Sequence, residues 1–394
     1  MPEVNQRAPY LNARLQGFGT TIFDEMSVLA ATTGAINLGQ GFPDTDGPEE
    51  IAEAAVAAIR EGHNQYPPGR GVPELRLAVA EHQRRRYGLE VDPATEVLVT
   101  TGATEALAAS LLALCDVGDE VVVFDPSYDV YAAAAAMAGA GVRVVTLHPP
   151  RWTFDPAELD AAITARTKVV VLNTPHNPTG KVFSPEELAE VAHRCVERDL
   201  VAVTDEVYEH LVFEGRHVPL ATLPGMAERT VTISSAAKTF SFTGWKVGWA
   251  CGPAPIIDAV RTAKQYLTYA SGAPFQYAVA EGLAAGDKYI EGTVENLRAR
   301  RDQLCAGLAG LGLDVNWPPA TYFVTTDIAP VSDLGAVEFC RTLPRRCGVV
   351  AVPVSVFYQH PGEGTTLVRW AFCKRREVLD EALARLAGRR ATPA

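Results

Sequence analysis

Between residues 96 and 251 the chain alternates near-continuous apolar runs with segments whose apolar positions recur at helical spacing. The runs at 97–101, 120–124, 142–147, 169–173, 200–204, 230–234 and 247–251 are mostly rich in valine, the pattern of strands covered on both faces. Helical patterns fill most of the gaps. The clearest begins at Ser184-Pro185-Glu186-Glu187, where a hydroxyl N-cap precedes proline at the first helical position and glutamate at the third. Leu188, Val191, Ala192, Cys195 and Val196 then mark one buried face. The alternation predicts an α/β protein with a largely parallel sheet of about seven strands.

The flanks read differently. Residues 1–20 form an irregular arm ending in Gly17-Phe18-Gly19, followed by a helix at 22–32 and helices at 49–61 and 73–87. The arginines 84–86 suit the negative end of a helix dipole, as a solvated helix end. Beyond the sheet region the pattern predicts one long helical stretch over 255–285, a helix at 289–311 and a strand at 322–327. A helix at 335–345, strands at 349–354 and 366–372 and a final helix from 377 follow. That is enough for a second, smaller α+β unit. The expected division is an arm and part of the small domain at 1–44, a large domain at 45–285 and a small C-terminal domain at 286–394.

Composition narrows the function classes. At 394 residues the chain exceeds what one core serves. The net charge of -12 argues against nucleic acid or an anionic membrane as the main partner. Seven cysteines, odd in number and without a Cys-x-x-Cys pair, read as buried free thiols of a reducing compartment. No metal is called for. The first thirty residues lack a secretory pattern, and the alanine-rich run from Tyr131 is too short to span a bilayer. A cytoplasmic protein is expected.

The candidate chemistry gathers at the ends of predicted strands. Lys238 and Lys246 lie in a stretch of small, hydroxylated, aromatic and aliphatic residues, with no acid between Arg229 and Asp258. Apolar surroundings lower a lysine's pKa toward the working pH, and the neutral amine condenses with aldehydes. Thr101-Gly102-Ala103-Thr104 joins a strand to a helix and offers an anion site at a helix N-terminus. Asp205, ending a buried strand, is either a helix N-cap or the partner of a cationic ring nitrogen. Asn177, within Asn173-Thr174-Pro175-His176-Asn177-Pro178-Thr179-Gly180, either closes an Asx turn or aims an amide over the sheet. Tyr128 offers an aromatic face. The two glycines of Gly39-Gln40-Gly41 make a tight turn or a close backbone approach. Arg369, inside a strand pattern, needs an ion-pair partner or a substrate carboxylate. Anion turn, aromatic, amide, acid and isolated lysine together suit a phosphorylated aromatic aldehyde, pyridoxal 5'-phosphate.

Over essentially its whole length the sequence resembles the fold-type I pyridoxal-phosphate aminotransferases of class I/II. The matching stretches are Asn37 to Pro43, Asn64-Gln65-Tyr66, His176 to Gly180, Asp205-Glu206-Val207-Tyr208, Ser234 to Trp249 and Val368-Arg369. The kynurenine, glutamine and methionine aminotransferase branch is nearest. Lys264-Gln265-Tyr266-Leu267 and Gly272 to Gln276 look most like the actinobacterial N-succinyldiaminopimelate aminotransferases. The resemblance implies that Lys238 forms the Schiff base and shuttles the proton, that Asp205 pairs with the pyridine nitrogen, and that Asn177 and Tyr208 bond the phenolic oxygen. It further implies that Tyr128 stacks on the ring, where the family often has Phe or Trp, and that Gly102, Ala103, Thr104, Ser235 and Lys246 surround the phosphate. Tyr66 would come from the neighbouring subunit of a homodimer. Arg369 would clamp the substrate carboxylate beside Gly41 and Asn177.

The expected reaction moves an amino group to a 2-oxoacid such as 2-oxoglutarate, with N-succinyl-LL-diaminopimelate as the expected donor. The alternatives are a kynurenine, glutamine or methionine donor, or β-lyase chemistry on a cysteine S-conjugate. A distal carboxylate would want a cation, for which Arg14 and Arg70 are candidates. An aromatic or aliphatic donor would use Phe18, Tyr128 and Phe357. A transcription regulator with a related domain would need a DNA-binding domain ahead of the fold, and the acidic charge argues against it.

Overall fold

The computed structural model describes residues 10–19, 21–360 and 362–388. Much of the predicted N-terminal arm, residues 1–9 and 20, lies outside the described residues. The strands are β1 (Ile36–Asn37), β2 (Val97–Thr101), β3 (Glu120–Asp125), β4 (Gly141–Thr146), β5 (Thr167–Asn173), β6 (Val201–Asp205), β7 (Thr230–Ser235) and β8 (Val247–Cys251). The later ones are β9 (Asp314–Asn316), β10 (Phe323–Asp327), β11 (Val349–Val350), β12 (Val352–Pro353) and β13 (Leu367–Ala371). All seven apolar runs of the sheet region are strands, within one or two residues of the predicted bounds.

Seven strands form the main sheet, ordered β2-β8-β7-β6-β5-β3-β4. The pairs from β7 to β4 are parallel, and β8 runs antiparallel to both neighbours. Every residue of β3, β7 and β8 is buried, as strands sandwiched by helices require. The reversal at β8 follows from chain length. The short link 236–246 lets the chain turn back, whereas a parallel return needs a full crossover of a dozen or more residues. One edge of the sheet therefore collects the C-terminal ends of β2, β3, β5, β6 and β7 and the start of β8. Ligands of open α/β sheets bind outside that edge.

A second sheet, β12-β13-β10-β9, is antiparallel throughout. The N-terminal segment lies beside it: β1 pairs in parallel with β11 in a separate two-stranded sheet, and Ala371 of β13 donates its amide to the Leu38 carbonyl at 2.6 Å. Residues 39–41 are thereby drawn alongside β13.

Two expectations give way, and one strand was not foreseen. The stretch 255–285 is two helices, Ala254–Lys264 and Ala273–Ala284. Gly272 caps the second helix and Pro274 sits in its first turn, where the missing amide costs no intrahelical hydrogen bond. The buried Lys264 ammonium occupies the break, donating to the carbonyls of Gly69 and Tyr269 at 3.1 and 2.5 Å. The run 349–354 divides at Ala351 and serves two sheets. Strand β9 is too short and too exposed to leave an apolar run.

The capping box at Ser184 and Glu187 forms in both directions. The basic helix end pairs outward, Arg84 with Glu81 and Arg86 with Asp287. Six of the seven free cysteines are buried. Among the described residues no helix is long and apolar enough to cross a membrane.

Gly248 of β8 lies against the turn that opens the helix Gly102–Leu114. A Cβ there would stand 2.7 Å from the Gly102 carbonyl carbon and 2.8 Å from the Ala103 amide nitrogen. Both are backbone atoms, so the clash has no flexible side chain to move. Gly248→Ala is expected to cost about 2–3 kcal/mol, the upper range for overpacking, and to loosen anion binding at that turn. Urea denaturation and phosphate retention measure the two effects. An unchanged midpoint would show that β8 and the turn are not in rigid contact.

Candidate active site

A cavity of about 310 Å³ opens at the gathered strand ends, near the lower bound for small-molecule sites. Lys238 stands in the short helix Ala236–Thr239 directly after β7. Its Nζ donates to the Tyr322 hydroxyl at 2.8 Å and the Gly41 carbonyl at 3.3 Å, and lies 5.7 and 5.5 Å from the ring centres of Tyr208 and Tyr322. Burial lowers the amine to about 8, because the ammonium is separated from water.

Asp205 ends β6 and is buried. One oxygen accepts the Tyr131 hydroxyl at 2.7 Å and the other the Val207 amide at 3.4 Å. Burial raises its carboxyl to about 6. It makes the local turn contact expected of a capping acid and faces the cavity as well.

Asn177 follows β5. Its backbone amide donates to Asn173 Oδ1 at 2.7 Å, and its own Oδ1 accepts from Arg369 Nη1 at 2.8 Å. A guanidinium only donates, so the Asn177 NH2 is the group left to face the cavity.

Arg369 of β13 is 1% exposed. Nη2 donates to the Gly39 carbonyl at 2.7 Å, while Nε has no partner. The rings of Phe323, Phe357 and Phe23 surround the guanidinium at 4.0, 5.0 and 5.2 Å. Among the described residues no carboxylate pairs with it. Burial brings its pKa down to about 10. A desolvated cation with an idle donor is a site for an anion from outside. Of the two sequence readings, the internal ion pair is therefore absent.

Gly41 settles as a close approach: its carbonyl accepts from Tyr322 and Lys238, and a Cβ would reach within 2.4 Å of the Phe323 ring. Gly102 has φ +73 and opens the helix whose next residues are Ala103 and Thr104. Lys246, also left-handed at φ 56, brings its Nζ to 3.3 Å from where a Gly102 Cβ would stand. Free helix-terminal amides and an ammonium thus share one corner of the cavity, with Ser235 beside them. Tyr128 lines the wall, burial raising its hydroxyl to about 12.

Two named residues stand elsewhere. Tyr66 is 85% exposed and packs edge-on against Tyr269, and it does not line the cavity that holds Lys238. Phe18 lines a neighbouring apolar cavity that shares Phe23 and Tyr128 with the first and includes Phe357. Of the two candidate arginines, Arg14 donates to the Met137 carbonyl at 3.0 Å. Arg70 is taken up by Asp258 and the Thr95 carbonyl.

Sequence reading missed Tyr322, Tyr131, Asn173, Phe23 and Phe323. An aromatic in a strand or helix reads as core, and Tyr131, Tyr322 and Phe323 are buried like core residues while Phe23 is partly buried against the core. The one signal was position: Tyr131 lies one helical turn after Tyr128, so both face the sheet edge.

An acid facing the cavity, a neutralisable amine, an anion corner, an aromatic wall and an unpaired guanidinium fit pyridoxal phosphate and a carboxylate substrate. The protein this fold and site define is a pyridoxal-phosphate-dependent aminotransferase. The chain belongs to the family of aminotransferases class I and II, which matches residues 33–386. It is 51% identical over 387 residues to the probable N-succinyldiaminopimelate aminotransferase DapC of Mycobacterium tuberculosis, covering 95% of this chain and 97% of that protein. The solved structure of N-succinyldiaminopimelate aminotransferase from that organism superposes with a TM-score of 0.94 at 52% identity, covering 96% of this chain and 99% of that one. The methionine aminotransferase of Escherichia coli is 41% identical over 375 residues, 95% of this chain and 97% of that protein.

The Lys238 amine attacks an aldehyde only when neutral. With its pKa lowered to about 8, the rate at which apoenzyme captures pyridoxal phosphate should climb as pH rises from 6 and level off above about 8. Stopped-flow absorbance reads that rate. A climb continuing to the ordinary lysine range near 10.4 would show that the amine is solvated.

Proposed function

We propose that this enzyme transfers the amino group of N-succinyl-LL-diaminopimelate, or a close analogue with a distal carboxylate, to 2-oxoglutarate. The identity and TM-score shared with the N-succinyldiaminopimelate aminotransferases carry this reading. The net charge and the free buried thiols support work in the cytoplasm.

Each site residue then has a task. Lys238 holds the cofactor covalently and, once released by the substrate amine, moves the proton at Cα. Asp205 keeps the ring nitrogen cationic, which its burial makes effective. Bound pyridoxal phosphate supplies the electron sink that accepts the charge left when the Cα–H bond breaks. Asn177, through its free NH2, and Tyr208 donate to the phenolic oxygen. Ala103, Thr104, Ser235 and Lys246 bind the phosphate at the turn made by Gly102, and Tyr128 lies against the ring. Arg369 takes the substrate α-carboxylate beside Gly41, exchanging a costly bare cation for a forked ion pair. Arg14 supplies the cation for the distal carboxylate, Arg70 being held by Asp258.

A second reading rests on the apolar annex of Phe18, Phe23, Tyr128 and Phe357, which suits a methionine or aromatic side chain. Holoenzyme titrated with single donors and no acceptor separates the two by the absorbance of the cofactor. N-succinyl-LL-diaminopimelate is expected to convert it fully, with methionine, kynurenine and glutamine at least ~10-fold less efficient. Arg14→Ala should raise the succinylated donor's KM and leave the others unchanged, and Lys238→Ala should abolish turnover. Faster conversion by methionine or kynurenine would favour the second reading. Turnover by Lys238→Ala at the wild-type rate would overturn the assignment of roles.

We also assign a homodimer in which Tyr66 of each subunit completes the other's phosphate site, on the strength of its exposure. Mixing Tyr66→Ala chains with Lys238→Ala chains should then yield hybrids that combine both lesions in one site and leave the other whole. Activity should reappear on mixing to about a quarter of wild type, since random assortment makes half the dimers hybrid and one site in each intact. No recovery, with hybrids verified by mass, would place Tyr66 in its own subunit's site.

A further inference from the structure

His82, Glu209 and His210 are all buried and bring one ligand atom each to within 4.8 Å of one another. None of them lines the cavity that holds Lys238. His82 comes from the helix Pro73–Tyr87, and Glu209 and His210 follow Tyr208 along the chain. The two imidazoles face each other through their Nε2 atoms at 2.8 Å.

The proton positions can be worked out. Thr239 Oγ1 donates to the Ser235 carbonyl at 3.2 Å, so it accepts from His210 Nδ1 at 3.0 Å. His210 therefore carries its proton on Nδ1 and aims a bare lone pair from Nε2 at His82. Glu209 is fixed in the same manner. The Tyr87 hydroxyl donates to Oε2 at 2.5 Å and the Ser234 hydroxyl to Oε1, and each carboxylate oxygen keeps a further lone pair. Nδ1 of His82 is buried without a partner, so this ring is free to carry its proton on either nitrogen.

A single N–H···N bond satisfies the two Nε2 atoms when nothing else is present. It leaves two features without a purpose. Hydroxyl groups orient His210 and Glu209 from behind, as outer partners orient metal ligands. Glu209 and His210 also line a cavity of about 830 Å³ that shares no lining residue with the cavity of Lys238, which gives an ion a way in and a place for a fourth ligand. Two imidazoles and one carboxylate with an open position make a three-ligand zinc donor set. Tetrahedral ligands about 2.0–2.1 Å from zinc stand about 3.3 Å apart, so the two rings need to separate by about 0.5 Å and the carboxylate, within 4.8 Å of them, to close by up to about 1.5 Å.

We propose that His82, Glu209 and His210 form a site for a divalent transition metal of the zinc class, with water from the second cavity in the fourth position. On binding, the His82 proton moves from Nε2 to Nδ1 and both Nε2 lone pairs go to the ion, so no co-reactant is needed. Thr239 and Ser234 flank the turn that carries Lys238. An ion here ties the helix Pro73–Tyr87 to the segment of Tyr208 and to that turn, and stabilises the native chain by linkage.

Tag-free holoenzyme, cleared of metal with a chelator and desalted, is titrated with Co2+ and then with Zn2+. The expected result is uptake of one Co2+ per chain with the visible absorption of a four-coordinate nitrogen and oxygen site. Zn2+ should displace it, and the melting temperature should rise until one equivalent is bound. His82→Gln and His210→Gln should each weaken uptake at least ~100-fold, while His148→Gln, at an exposed histidine, should leave it unchanged. Cofactor absorbance on the same samples reports whether the variants fold; if they do not, the wild-type Co2+ spectrum decides. No uptake at one equivalent, or uptake untouched by both substitutions, would overturn the proposal and leave a metal-free histidine pair.

Discussion

The site depends on keeping one ammonium away from water. Lys238 has a phenol and a carbonyl for hydrogen-bond partners and two aromatic rings for neighbours. Among the described residues no carboxylate touches it, so desolvation dominates and lowers the amine toward neutrality. The fold achieves this by topology. Strand β7 is buried along its whole length, and the chain turns back into β8 immediately after the lysine. The lysine is therefore presented at the sheet's ligand-binding edge but roofed by Tyr322 and Gly41, which arrive from the second sheet and the N-terminal segment.

The same economy governs Arg369 and Asp205. Among the described residues neither has an oppositely charged group in contact, and each is shifted toward its neutral form, Arg369 down and Asp205 up. Three mutually unpaired ionisable groups around one cavity are costly for an empty protein. They are consistent with a protein whose charges are completed by a ring nitrogen, an aldehyde and a carboxylate. The stacking of Phe23, Phe323 and Phe357 around Arg369 holds the guanidinium plane in place. Asn177 is committed to Arg369 through its oxygen, which links β13 of the second sheet to the loop after β5.

Much of this was legible in the chain. Apolar runs rich in valine marked the main sheet because buried parallel strands leave no polar alternation to confuse them. Lys238, Asp205 and Asn177 stood out because each ends such a run or follows it within four residues. What escaped detection was set by distance. Tyr322 meets Lys238 across 84 residues of chain, and His82 meets His210 across 128. The break after Lys264 was masked because apolar periodicity resumes on its far side, and Gly272 and Pro274 were the marks it left. Strand β1, two residues long, exists only because β11 lies beside it.

Borohydride reduction of the holoenzyme, followed by proteolysis and mass spectrometry, tests the central claim most directly. Reduction freezes whichever lysine holds the cofactor. The account predicts the cofactor mass on the peptide containing Lys238 and on no other. Its appearance on Lys246 or Lys264 would contradict the claim that desolvation at the end of β7 selects the reactive amine.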